Sequence, residues 1–108
     1  MKEIRAYIQP FVLGRLVQNL LEIPNFPGMS VMDCEGFGYK QVEAGQTFNP
    51  FIAKKRLEII ANDEQEDVIV AAIMKHAHTG RAGDGRIFVV DVLESGRIRT
   101  GERGVRLV

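Results

Sequence analysis

Twice along this chain a segment of period two gives way to one of period 3.6 and then to another extended segment. Ile4, Ala6 and Ile8 alternate with Arg5, Tyr7 and Gln9, the pattern of a half-buried strand, and Pro10 closes it. From Leu13 the apolar positions become Leu13, Leu16, Val17, Leu20 and Leu21, one helical stripe, until Pro24 and Pro27-Gly28 end the helix. Met29 to Glu35 reads as a second strand. Gly36-Phe37-Gly38 then marks a point where the chain turns or lies close to something.

The second unit repeats the pattern without repeating the sequence. Tyr39 to Asn49 has no sustained period and reads as a loop, and Phe51 to Ile60 returns to strand composition. Asn62 or Asp63 is placed as an N-cap with Glu66 completing a capping box, ahead of the stripe Ile69, Ala72, Ile73 and Ala77; Gly80 supplies the stop. Ile87 to Val92 is apolar on both faces and is predicted to be a central strand, followed by a short basic tail from Arg97. Two β-α-β units with right-handed crossovers fold into one sheet with both helices on one face. The expectation is therefore a single α+β domain over residues 1–108, a ferredoxin-like (βαβ)2 sandwich. Strand residues on both faces are apolar, for example Phe88 and Val90 opposite Ile87 and Val89, and with helices on one side only this predicts a homo-oligomer with the sheets facing inward.

Composition removes other classes. Lys and Arg number 14 against 14 Asp and Glu, so no whole-molecule field draws in a phosphate backbone, and a general nucleic-acid binder is not expected. With 45% hydrophobic residues in 108, the chain has enough apolar surface for one core and is not a disordered segment. The apolar run Val68 to Met74 is far short of the roughly 20 residues of a membrane helix. Met1-Lys2-Glu3 leads straight into the first strand with no signal-peptide core. The lone Cys34 has no disulfide partner and reads as a small core residue. The expected compartment is the cytoplasm.

Three segments are candidates for chemistry. In Thr79-Gly80-Arg81-Ala82-Gly83-Asp84-Gly85-Arg86, three glycines let backbone N–H groups converge on an anion, Arg81 and Arg86 neutralise it, and Thr79 offers a hydroxyl. A plain helix cap and turn would use the same glycines. Arg97 and Arg99, two apart on an extended segment, point to one side and reach one phosphate or carboxylate, the alternative being a solvated tail. In Lys54-Lys55-Arg56, alternation sends Lys54 and Arg56 to one face and Lys55 to the other. His76 and His78 fall on different helix faces and do not share a metal, and no nucleophile–base set or carboxylate pair is legible. No catalytic residue and no metal site is assigned.

Taken together these segments resemble the PII family of signal-transduction proteins. The resemblance runs through Ile8-Gln9-Pro10-Phe11, Gly36-Phe37-Gly38, Leu57-Glu58-Ile59, the segment from Thr79 to Val89, and Arg97-Ile98-Arg99-Thr100-Gly101-Glu102. It implies a cytoplasmic homotrimer that holds ATP, ADP or AMP between neighbouring subunits. It places the family's T-loop at about 39–53, its B-loop at about 79–86 and its C-loop at about 97–104. The nucleotide-binding residues it implies are Gly36, Gly38, Lys54, Glu58, Thr79, Gly80, Arg81, Gly83, Asp84, Gly85, Arg86, Arg97 and Arg99. The partner-binding loop it implies carries Tyr39, Lys40, Gln41, Phe48 and Phe51.

The sequence also departs from the family pattern. Where the family has Arg-Gln after the second glycine, this chain reads Tyr39-Lys40-Gln41. An ammonium does not ligate a cation as an amide oxygen does, which puts magnesium and 2-oxoglutarate binding in doubt unless Gln41 takes that role. The loop is shortened and has no tyrosine between Gln41 and Lys54 to accept a uridylyl group. The resulting expectation is a regulator, not an enzyme, whose nucleotide-dependent loop acts on a target protein. That target is a membrane transporter, with heavy-metal efflux suggested by Ile23 to Met29, or a metabolic enzyme. A slow ATP hydrolase using the same cleft and a metal- or small-molecule-sensing trimer are the alternatives.

Overall fold

A computed structural model describes residues 1–38 and 49–106. Strand β1 (Lys2–Ile8) is followed by a 3-10 turn at Pro10–Val12 and helix α1 (Leu13–Leu20), then β2 (Ser30–Gly36). Strand β3 (Ile52–Ala61), a 3-10 turn at Asp63–Gln65, helix α2 (Glu66–His76) and β4 (Gly85–Asp91) repeat the order. The sheet runs β2-β3-β1-β4 with every adjacent pair antiparallel, the ferredoxin-like arrangement.

Alternation decides which face is which. Ile4, Ala6 and Ile8 of β1 sit opposite Ile59, Leu57 and Lys55 of β3, and the apolar members of that set are buried beneath Val12, Leu16 and Leu20 and beneath Ile69, Ile73 and Ala77. The predicted α1 stripe is thus narrower than its sequence suggests, because Leu21 caps the helix with 68% of its surface exposed. On the open face lie Glu3, Arg5 and Tyr7 with their cross-strand neighbours Glu58, Arg56, Arg86, Phe88 and Val90.

Four local expectations give way. Strand β4 is an edge strand, since β1 already pairs with β3 on its other side; Phe88 and Val90 are apolar and yet 45% and 40% exposed. The capping box does not form, because a 3-10 turn intervenes and α2 starts from Gln65 without a side-chain cap, while the Asp63 carboxylate receives the N-terminal ammonium at 2.6 Å. Helix α2 ends at His76 with Ala77 as its C-cap, before Gly80 is reached. Cys34 lies across from Lys54 on the open face, half-buried and outside the core.

The basic tail is also structured. Ser95–Gly96 (β5) and Arg103–Gly104 (β6) form a small antiparallel hairpin. No described helix is long and apolar enough to cross a membrane.

Candidate functional site

The Thr79–Arg86 turn leads from α2 into β4, and Asp84 organises it. The Asp84 carboxylate accepts the Thr79 N–H at 2.7 Å, the Gly80 N–H at 2.9 Å, the Thr79 hydroxyl, and the Gln9 side-chain amide at 3.0 Å. The Thr79 hydroxyl oxygen in turn accepts the Arg81 N–H at 3.3 Å. Donation from Thr79 above all, then from Gly80 and Gln9, holds the Asp84 carboxyl down to about 2. Asp84 and Thr79, expected to face a ligand, are thus engaged with each other. Arg81 and Arg86, the two arginines of this turn, are both exposed.

Two glycines have distinct reasons to be there. At Gly85 the φ is +105° and a Cβ would stand 1.7 Å from the Tyr7 carbonyl oxygen, so the β1–β4 pairing itself forbids a side chain. At Gly83 the φ is +92°, and the nearest atom to a Cβ is the Lys54 Nζ at 3.6 Å. That ammonium donates to the Gly83 carbonyl at 2.5 Å, bringing Lys54 from the start of β3 onto the turn.

The alternation at Lys54-Lys55-Arg56 holds. Lys54 and Arg56 share the open face with Glu58, whose carboxylate lies 3.4 Å from the Arg56 guanidinium, while Lys55 pairs with Asp33 on the helix side. The Arg56 Nε is buried without a hydrogen-bond partner. A cleft of about 200 Å³ opens beside the turn, lined by Ile73, Met74, Ala77, His78, Arg86 and Ile87 among others.

Arg97 and Arg99 are not on an extended segment. Arg97 opens a tight turn closed by the Gly101 N–H on the Arg97 carbonyl at 2.8 Å, with Gly101 at φ +77°, and Arg99 lies within that turn. The alternation that would aim both arginines one way therefore does not apply. Both are exposed, and Arg97 lines a second cleft of about 150 Å³ with Glu102, Arg103 and Arg106. Among the described residues, no hydrogen bond or ion pair joins this hairpin to the Thr79–Arg86 turn.

Gly36 ends β2 opposite Ile52, so the loop placed at 39–53 stops short of Ile52 and Ala53, which already pair with Gly36 and Glu35. A Cβ at Gly36 or Gly38 would meet no atom within 4 Å. Phe51 is half exposed and its ring meets Phe37 edge-on at 5.0 Å. Tyr39, Lys40, Gln41 and Phe48 lie outside the described residues. Among the described residues no cluster of three or more metal-ligating side chains occurs. Gln9, which reaches Asp84, falls within the Ile8-Gln9-Pro10-Phe11 motif without a site role assigned to it, and Arg15, which reaches the end of α2, lies in no recognisable motif.

The family model described as nitrogen regulatory protein P-II matches residues 1–102. A protein of that name from Pasteurella multocida is 40% identical over 107 residues, covering 94% of this chain and 95% of the relative. Nitrogen regulatory protein P-II 2 of Methanothermobacter thermautotrophicus is 41% identical over 113 residues, covering 100% and 97%. The crystal structure of Arabidopsis thaliana PII bound to citrate superposes with a TM-score of 0.79 at 31% identity, covering 99% of this chain and 91% of that one. The family model spans residues 1–102 and the relatives are covered over nearly their whole length, and the chain belongs to the nitrogen regulatory protein P-II family.

Proposed function

We propose that this chain is a regulatory subunit, not an enzyme, that assembles as a homotrimer and binds ATP or ADP in clefts between neighbours. The observation that carries the reading is the Thr79–Arg86 turn. Its conformation is set internally by Asp84, Arg81 and Arg86 are left exposed, and Arg86 lines the adjoining cleft, a preorganised basic cradle for a polyphosphate. Gly80, Gly83 and Gly85 keep the backbone open to the ligand, Lys54 supplies a third cation, and Thr79 and Asp84 hold the frame.

The hairpin arginines fit the same reading when a second subunit is added. Within one chain Arg97 and Arg99 make no bond to the turn, so their part is to complete a neighbour's cleft. The edge position of β4 and the exposure of Phe88, Val90, Leu93 and Ile98 supply apolar surface for such an assembly. Arg56, with its unpartnered Nε, and Glu58 lie on the same open face.

The output is carried by the loop between β2 and β3, based on Gly36, Gly38 and Phe51 and including Tyr39, Lys40, Gln41 and Phe48. Nucleotide shifts the loop's population between conformers that bind or release a target protein, for which a membrane transporter is the first choice. Lys40 stands where the family's amide would be, so in this reading magnesium-dependent 2-oxoglutarate binding requires Gln41 to take that amide's role.

Calorimetric titration with ATP, ADP and AMP, with and without magnesium and 2-oxoglutarate, tests it. The expected result is binding of ATP or ADP that is lost when Arg97→Ala and Arg99→Ala are combined. Silence with every nucleotide overturns the reading.

A further inference from the structure

Arg15 lies outside every segment the sequence singles out, yet it reaches the glycine turn from behind. It is exposed on the first turn of α1, and its guanidinium crosses to the end of α2. There the Nε–H donates to the His76 carbonyl at 2.9 Å and an Nη2–H donates to the His78 carbonyl at 3.3 Å. Carbonyls at a helix C-terminus lack intrahelical donors. A glycine at C′ commonly meets that need, but here Ala77 is the C-cap and Gly80 comes too late to serve. A cation at this end of the helix is also favourable to the helix dipole.

The consequence falls on one peptide unit. The carbonyl of the His78–Thr79 peptide accepts from Arg15, and the N–H of the same peptide donates to Asp84 at 2.7 Å. The plane is therefore fixed at both ends. Thr79 and Gly80, whose N–H groups bind Asp84, begin the turn that presents Arg81 and Arg86.

We propose that Arg15 is a positioning residue for the anion-binding turn: it sets the direction in which the chain leaves α2 and so the orientation of the cradle, without touching the ligand. This rests on the reading of that turn as a polyphosphate site. The planar fork matters as well as the charge, because one guanidinium reaches two carbonyls that are two residues apart, whereas an ammonium on a flexible stem is a point charge.

The test compares wild type, Arg15→Ala and Arg15→Lys by residue-resolved amide hydrogen exchange without ligand and by calorimetric titration with ATP. In Arg15→Ala the Thr79 and Gly80 amides should exchange about 3- to 10-fold faster, as expected for lost exposed hydrogen bonds. Amides of β1 and β3 should keep their wild-type rates, and the ATP dissociation constant should rise by a similar factor. Arg15→Lys should recover only part of both effects. Unchanged exchange at Thr79 and Gly80 in Arg15→Ala overturns the proposal. So does Arg15→Lys matching wild type in both assays, since charge alone then suffices. Wild type and Arg15→Ala binding ATP equally overturns the positioning role while leaving the nucleotide reading in place. A wild type that binds no ATP, with exchange responding as stated, overturns the nucleotide reading and supports Arg15 as the residue that sets the turn.

Discussion

Gly83 and Gly85 stand two residues apart in the same turn, both at positive φ, and replacing each with alanine should have very different effects. At Gly83 the φ of +92° is the main obstacle, because the nearest atom to the new Cβ is the mobile Lys54 Nζ at an ordinary 3.6 Å. That backbone strain costs about 1–2 kcal/mol. At Gly85 the φ of +105° imposes a comparable strain. In addition the Cβ would overlap the Tyr7 carbonyl oxygen at 1.7 Å and crowd its carbon at 2.8 Å. Backbone cannot swing aside as a lysine tip can, so β4 must separate from β1 around the pairs Ile8↔Gly85 and Tyr7↔Arg86. Losing one or two ladder hydrogen bonds adds about 1–3 kcal/mol, giving a total of about 2–5 kcal/mol for Gly85→Ala. In a domain of this size that lowers the melting temperature by roughly 8–40 °C, against roughly 4–16 °C for Gly83→Ala. Urea denaturation at one fixed protein concentration, which holds any assembly contribution constant, measures the difference. Equal destabilisation by the two substitutions would refute the argument that the Tyr7 backbone is what excludes a side chain.

Other consequences are as direct. The Asp84 carboxyl is held to about 2, below its ordinary value near 3.8, so its contribution to stability is fully present above pH 4 and is lost as pH falls toward 2. Chemical denaturation of wild type and Asp84→Asn across pH 2–6 should therefore show a stability gap at pH 5–6 that closes toward pH 2; a gap independent of pH contradicts the assignment. A double-mutant cycle with Phe37→Leu and Phe51→Leu should return a coupling of about 0.5–1.5 kcal/mol for the edge-on ring pair, measured by urea unfolding, and additive single effects would deny the contact. Combining Arg97→Ala with Arg99→Ala should abolish nucleotide binding while leaving the melting temperature of the ligand-free protein within a few degrees, because both side chains are exposed.

Much of the fold is legible because it is written in periodicity. The alternation Ile4, Ala6, Ile8 and the spacing of Leu16 and Leu20, or of Ile69 and Ile73, identify the buried faces without any knowledge of the partner elements. What periodicity does not report is position within the sheet. Ile87 to Val90 is apolar on both faces, which a central strand and an edge strand with an apolar outer face share equally. Local hydrogen bonding is likewise hidden. Nothing in the order Asp63-Glu64-Gln65-Glu66 says that a 3-10 turn will intervene and that Asp63 will take the N-terminal ammonium. Gly101 after Arg97-Ile98-Arg99-Thr100 was the available sign that the arginines occupy a turn, since a glycine at positive φ folds the segment back.

The site shows the same division. The glycine and arginine positions could be singled out by residue type, because few other types combine open backbone with positive charge. The direction of each bond could not. Thr79 and Asp84 look like ligand contacts in sequence and are bonded to each other in the fold, while Gln9 and Arg15 look like surface residues and brace the turn from β1's exit and from α1. The contacts of Gln9 and Arg15 join residues 61 to 75 apart, and no local pattern encodes them.

The central claim is a nucleotide cleft completed by a neighbouring subunit, and native mass spectrometry of the protein with ATP or ADP tests both halves at once. The account predicts a three-chain species that takes up as many as three nucleotides, and the same trimer without nucleotide when Arg97→Ala and Arg99→Ala are combined. A single-chain species that binds nucleotide with full occupancy, or a trimer that binds none, would contradict it.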